Sequence, residues 1–360
     1  MLPERPSRPA APPSTVETKL ARRVRPRGKA YRVSRVPADT RPRGMPRRRL
    51  VSRRTSSVCQ FACEDAAMSA TPFKNAAAPA GSTPADFRAA LRVDAQVNVT
   101  AIDPSSTPAF TGKKEQGEQA QAGLVERIAE LQERLYAESK FGGQRSLLLV
   151  VQGMDTSGKG GIMRHVIGAM DPQAIEHTAF KAPTQEERDH HFLWRIRKAL
   201  PQPGHIGVFD RSHYEDVLIV RVHNLVPPEV WGARYDEINA FEHEIAQAGT
   251  TIVKVMLHLS KDEQKARLAE RLARPDKHWK FNPGDIDERG SWDAYQEAYQ
   301  AALARCSTDV APWYCVPADR KWYARLAVTN LVLDALTTMD PQWPTVDFDV
   351  AEQQARLEAS

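Results

Sequence analysis

Residues 145–161 read RSLLLVVQGMDTSGKGG, and the fold follows from the change of character halfway along this stretch. Leu147 to Val151 form a continuous apolar run of strand length, which ends at a loop holding Gly153, Gly158, Gly160 and Gly161 before helix-permissive residues begin. The spacing Gly153, four residues, Gly158, Lys159 fits the first seven positions of a phosphate-binding loop (P-loop). In such a loop backbone N–H groups face bound phosphates, the lysine reaches the terminal ones, and a helix N-terminus adds partial positive charge. The four glycines and Lys159 are therefore candidate phosphate contacts. At the eighth position, where a hydroxyl residue ordinarily holds Mg²⁺, stands Gly160. The metal needs another oxygen, and Asp155 within the loop is the candidate. A purely steric reading stands beside this one, because glycine-rich turns also follow strands where nothing binds.

Working outward, apolar runs at 174–180, 205–209, 251–259 and 313–317 predict four more strands. Helical periodicity fills the intervals at 116–141, 159–170, 184–200, 228–248, from 261, at 292–303 and at 320–339. Strands alternating with helices imply an α/β three-layer sandwich, with a mainly parallel five-stranded sheet and helices on both faces. Thr184 with Glu187 reads as a capping box, and Arg188, His191, Arg195 and Lys198 then share one helix face as a solvated stripe or a polyanion track. Asp210 closes the strand 205–209, where a carboxylate would hold Mg²⁺ directly or through water; its structural alternative is a helix N-cap. Residues 275–292, PDKHWKFNPGDIDERGSW, are dense in charge, Pro and Gly, as suits either a plain surface loop or a lid closing over phosphates. His213 and His258 read as packing or hydrogen-bonding residues, and Trp279 and Phe281 as anchors pinning that loop to the core.

The formal net charge of +5 over 360 residues hides an asymmetry. Residues 1–60 carry 17 Lys or Arg against 3 Asp or Glu, and the remaining 300 carry 33 against 42. Residues 1–67 are rich in Pro and Arg without periodicity, and are expected to be disordered. Three readings of this tail stay open: a nucleic-acid or polyanion-binding arm, an Arg-rich organelle transit segment, or residues upstream of a true start at Met68. Residues 68–115 read as an extension, 116–345 as the catalytic domain and 346–360 as a C-terminal tail. Four cysteines, unevenly placed, make no disulfide framework and no zinc spacing. No apolar run is long enough to span a membrane, so a cytoplasmic protein is expected.

GMDTSGKGG at 153–161, FKAPT at 180–184, FDRSHYED at 209–216 and RPDKHWKF at 274–281 together resemble the polyphosphate kinase 2 family, in order across about residues 120–340. The resemblance implies a P-loop fold like that of nucleotide kinases with a helical lid, about 264–292, and Mg²⁺-dependent phosphoryl transfer between inorganic polyphosphate and AMP, ADP or ATP. It implies that Lys159 contacts the transferred phosphate and that Asp155 and Asp210 organise Mg²⁺. Arg211 and Lys181 would bind phosphate, as would the lid cations Arg271, Lys277 and Lys280. The branch that acts on AMP and ADP is the most similar, and the choice between those acceptors stays open. A dimer or tetramer is expected, with no membrane and no nucleic acid as partner. An ATP-dependent kinase on the same fold and a non-enzymatic polyanion-binding protein are the alternatives. Because the chain beyond the tail is acidic overall, polyphosphate as donor requires its cations to be gathered into a positive channel.

Overall fold

β-Strand Ser146–Gln152 is buried at all seven positions, which only a strand covered on both faces can be. The structure around it, a computed structural model, describes residues 83–360, within one compact unit, Pro72–Ser360. The expectations for residues 1–67, and Cys59 and Cys63, lie outside the described residues. In chain order the described elements are α1 (Pro84–Leu91), β1 (Arg92–Val93), α2 (Lys114–Lys140), β2 (Ser146–Gln152), α3 (Lys159–His165), β3 (Ile175–Ala179), α4 (Gln185–Arg188), α5 (Trp194–Lys198), β4 (Ile206–Asp210), α6 (Ile219–Val222), α7 (Pro228–Gln247), β5 (Thr250–His258), α8 (Lys261–Ala273), α9 (Gly284–Glu288), α10 (Trp292–Cys306), β6 (Trp313–Pro317), α11 (Lys321–Met339) and α12 (Val350–Glu358).

The sheet runs β1-β6-β5-β2-β4-β3, parallel except for β1, which pairs antiparallel with β6 at the edge. The sheet therefore has six strands where the sequence predicts five; β1 has two residues, too few to show a period. Alternation along β2 divides the core. Leu147, Leu149 and Val151 face one apolar cluster with side chains of α2, α3 and α11. Leu148 and Val150 face the other, built largely from α7 and α10. The α/β class with helices on both faces thus follows from a strand with no polar face.

One local expectation changes. The helix predicted over 184–200 is two short helices, although its capping box forms: Thr184 Oγ1 accepts from Glu187 N and the Glu187 carboxylate from Thr184 N. Asp189 N donates to the carbonyls of Gln185 and Glu186, and the His190 ring also meets the Glu186 carbonyl at 2.9 Å, so the first turn is closed off locally. The basic stripe consequently never lines up, and Arg195 turns inward to donate to the Lys181 carbonyl. Residues 84–110, within the stretch read as an extension, pack into the core through Phe87, Leu91, Val99 and Phe110. No helix among the described residues is long and apolar enough to cross a membrane.

Beneath the sheet's carboxyl edge lies a buried polar network. Lys254, fully buried on β5, donates to both the Glu242 carboxylate and the Tyr214 hydroxyl (2.8 Å), and to the Cys306 carbonyl (2.7 Å). Glu242 Oε1 also accepts from Tyr214 (2.8 Å) and lies 3.1 Å from His213 Nε2. The expectation that His213 is a hydrogen-bonding residue holds, and His258 likewise meets the Ile102 carbonyl at 3.1 Å. Burial alone would raise the Glu242 carboxyl; Lys254 and His213 outweigh it and leave the group below its ordinary value of 4.5. Its contribution to stability is complete above that ordinary value and is lost as pH falls through the lowered one. Lys254→Met leaves the Glu242 charge unpaired and is expected to cost about 3–5 kcal/mol in urea unfolding at pH 7. The double variant Lys254→Met, Glu242→Met is expected to cost less than the single one, because no buried charge remains alone.

Candidate active site

The chain leaves β2 through a loop whose backbone only particular residues can follow. Gly153 has φ +153°, and a Cβ there would lie 2.6 Å from Ser157 Oγ and 2.9 Å from the Leu257 carbonyl. Gly158, at φ +117°, is left-handed and precedes the first residue of α3. Between them Thr156, a β-branched residue, sits at φ +64°, a conformation that costs on the order of 1–3 kcal/mol. Lys159 folds back over the loop's entrance and donates to the Gly153 carbonyl at 2.7 Å and the Met154 carbonyl at 3.4 Å. Burial lowers its pKa against the opposing pull of Asp155.

Parallel pairing of β2 with β4 sets the acidic groups beside this loop. Val151 lies in register with Asp210, and Arg211 N donates to the Val151 carbonyl at 3.1 Å. Arg211, itself at φ +64°, then reaches across to Asp155, Nη2 to Oδ1, at 3.0 Å. Ser212, not Asp210, caps the short 3₁₀ helix that follows, so the N-cap reading of Asp210 does not describe it. Glu215, on that helix, belongs to the same group, although nothing in its sequence neighbourhood singles it out from the acids beside it. With its amide turned to satisfy both ends, Gln152 donates to Glu215 Oε1 at 3.1 Å and accepts from Ser212 N at 3.2 Å. Burial raises the Glu215 carboxyl, opposed by Arg211 and Lys159.

Two clefts meet at Asp155. The larger, about 420 Å³, is lined by nine Lys or Arg, namely Lys159, Arg164, Arg267, Arg271, Arg274, Lys277, Lys280, Lys321 and Arg325, with His165; its acids are Asp155, Asp210 and Glu270. Cations from a span that is acidic overall are thus gathered along one cleft, several of them also paired with carboxylates. Gly158, Gly160 and Gly161 lie along its floor. The smaller cleft, about 240 Å³, is bounded by Gly153, Asp155, Arg211 and Glu215 on one side and by Asp285, Glu288, Tyr295 and Tyr299 on the other. Lys181 is the one candidate lying apart, in a shallow cleft of about 280 Å³ with Arg195 and Lys198. Arg164, Lys321 and Arg325 escape a reading of the sequence because the helices that carry them look like packing elements. Only the return of α11 to the loop shows that Lys321 and Arg325 line the cleft, where α3 places Arg164 as well.

Residues 274–291 form a 3₁₀ turn (Pro275–Lys280), α9 and a second 3₁₀ turn (Arg289–Ser291) over the loop. Arg271 ties this segment to itself, donating to the Lys280 carbonyl at 3.1 Å and Asp285 at 3.2 Å. Trp279 is 79% exposed and anchors nothing, contrary to its expected place against the core.

The sequence model of the polyphosphate kinase 2 (PPK2) family matches residues 111–344. The AMP/ADP-polyphosphate phosphotransferase of Meiothermus ruber is 45% identical over 254 residues, 71% of this chain and 94% of that protein. The ADP-polyphosphate phosphotransferase of Rhodopseudomonas palustris is 40% identical over 253 residues, 67% of this chain and 86% of that one. The crystal structure of polyphosphate kinase 2 from Arthrobacter aurescens superposes with a TM-score of 0.75 at 53% identity, over 78% of this chain and 98% of that chain. With the matched span covering more than half of its residues, the chain belongs to the polyphosphate kinase 2 family and is an enzyme of that type.

Proposed function

We propose that the chain catalyses reversible phosphoryl transfer between inorganic polyphosphate and an adenine nucleotide, making ADP from AMP or ATP from ADP. The observation that carries this reading is the nine-cation cleft running onto the glycine-rich loop and meeting a second cleft at Asp155. A linear polyanion suits the first cleft; the second, with Tyr295 and Tyr299 on its wall but four carboxylates to one arginine, is left to the nucleotide through its base and sugar. The names of the relatives from Meiothermus ruber and Rhodopseudomonas palustris support AMP and ADP as acceptors.

In this reading the loop is a P-loop on a nucleotide-kinase-like fold. The catalytic unit is 116–345, with 264–292 as its lid, preceded by the extension 68–115 and followed by the tail 346–360, which holds α12. A terminal phosphate oxygen of the nucleotide attacks the end phosphorus of polyphosphate; a new P–O bond forms, the P–O–P bond breaks, and the donor leaves one unit shorter. No strong base is needed, because the attacking oxygen is already anionic. Lys159 and Arg211 neutralise the charge on the transferred group, and Gly153, Gly158, Gly160 and Gly161 bring backbone close to it. Arg271, Lys277 and Lys280 hold the donor from the lid side, and Lys181 would touch only a chain extending beyond the main cleft.

Among the described residues no cluster of three or more His, Cys, Asp or Glu could cage a metal. The oxygens of Asp155 and Asp210, both on the cleft wall, fit Mg²⁺, which keeps much of its water and binds through one or two carboxylates and substrate phosphates. Those two residues would hold it, and when bound it supplies further charge neutralisation. The enzyme is expected to be a cytoplasmic homo-oligomer.

Purified chain given long-chain polyphosphate, Mg²⁺ and either AMP or ADP is expected to form ADP or ATP. Lys159→Ala is expected to lower kcat by about 100- to 1,000-fold in the same assay. Product only with ATP as donor would replace this reading with an ordinary kinase. Because burial lowers the Lys159 pKa and bound phosphate favours its charged form, the alkaline limb of kcat/KM is expected at lower pH than that of kcat; coincident limbs in a pH–rate study would contradict this. A Cβ added at Gly160 would meet nothing within 4 Å, and the backbone there is not left-handed. Gly160→Ser should therefore melt at the wild-type temperature and keep kcat within about 3-fold, whereas Gly153→Ala should lose activity outright.

A further inference from the structure

We propose that Arg267 is a positioning residue for this reaction: its buried guanidinium clamps the backbone of Thr156 and Ser157 and so holds the loop in its phosphate-receiving shape. The activity arm of this inference rests on the functional reading above; the structural arm does not.

Arg267 stands on α8 and resembles, in sequence, one more lid cation beside Arg271 and Arg274. It is only 5% exposed, and all its donor directions are taken within the protein. Nη1 donates to the carbonyls of Thr156 (2.9 Å) and Ser157 (3.0 Å), Nη2 to those of Ala318 (2.6 Å) and Asp319 (2.9 Å), and Nε to Glu263 (2.8 Å). A cation so committed has nothing left for substrate. It bridges two backbone segments, the glycine-rich loop and the turn after β6.

Two observations give the bridge weight, beside the bonds of Gln264 Nε2 to the Asp155 carbonyl (3.1 Å) and of Ser157 N to the Met154 carbonyl (3.0 Å). Thr156 is held at φ +64°, a conformation that a β-branched residue does not keep unaided. The loop's own hydroxyls do not keep it there, since Thr156 Oγ1 and Ser157 Oγ are buried without a hydrogen-bond partner. Because a peptide is planar and trans, fixing the Ser157 carbonyl toward Arg267 turns the Gly158 N–H the other way. The far end of the clamp is itself anchored. Asp319 accepts from Ser260 N (2.8 Å) at the start of α8 and from Ser105 Oγ (3.0 Å) in the N-terminal extension.

Lysine at this position would keep the charge but, with a compact ammonium, could not span two pairs of carbonyls. The test is amide hydrogen exchange of intact wild-type and Arg267→Lys protein, followed by mass spectrometry. Peptides covering 153–161 are expected to exchange about 100-fold faster in the variant while those of β5 are unchanged, and kcat is expected to fall about 100-fold with the nucleotide KM within about 3-fold. Unchanged exchange at 153–161, or faster exchange everywhere alike, overturns the proposal; so does a kcat within about 3-fold of wild type in an active enzyme. Should Arg267→Lys not fold, Asp319→Ala, which removes both acceptors of the anchored end, decides in its place. Faster exchange confined to 153–161 supports the clamp, and its absence sinks it. A wild-type chain without turnover on polyphosphate would instead remove the functional reading, leaving the exchange result to judge Arg267.

Discussion

Parallel pairing of β2 with β4, in the register that sets Val151 beside Asp210, is the constraint on which the rest of the site depends. Both strands end at the same sheet edge, so the two segments that follow must turn away side by side. The left-handed backbone at Gly153, Gly158 and Arg211 lies in those two exits. Shifting the pairing by one residue would reverse every side chain on β2, moving Leu148 and Val150 into the wrong core cluster. Hydrophobic burial thus locks the register, and the register in turn fixes Asp155 against Arg211 at 3.0 Å.

Charge is arranged in layers around that edge. Deepest is the Lys254–Glu242 pair with Tyr214 and His213, which ties the segment after Arg211 to β5 and α7. Next are Lys159, Arg211 and Glu215, whose pKa values are moved by burial and by one another. Outermost are the cations of α8, α11 and the 274–291 segment, open to solvent across the larger cleft. A span that is acidic overall beyond residue 60 can gather cations along one cleft because they come from separate elements that converge only in the fold.

Much of this was legible beforehand. All five predicted strands are present, because burial on both faces writes a continuous apolar run into the sequence. The loop from Gly153 to Lys159 was equally plain, since close backbone approach restricts residue choice at fixed spacings. What could not be read has physical reasons. β1 is too short to have a period, and at the break between α4 and α5 the Glu186 carbonyl is met by the His190 ring and by the Asp189 backbone N–H. A basic residue on an amphipathic helix looks the same whether it faces water or carbonyls, so Arg267 was indistinguishable from Arg271. Lys321 and Arg325 sit on a helix whose buried residues dominate its pattern. Trp279 misled for the opposite reason, as large aromatics are usually buried and this one is not.

The openness of the cation-lined cleft has a consequence for the solution around the enzyme. Its charges face water rather than a sealed interior, so mobile ions screen them, over about 10 Å at 0.1 M salt. A many-charged chain bound there must displace a crowd of counterions, and its hold weakens with each increment of salt. The pocket beside Tyr295 and Tyr299 sets four carboxylates against one arginine, so it offers no comparable track of cations for salt to screen. Under the proposed placement of polyphosphate in the larger cleft, ionic strength acts on the two ends of the site unequally, and the grip on the longer polyanion is the part that the surrounding electrolyte governs.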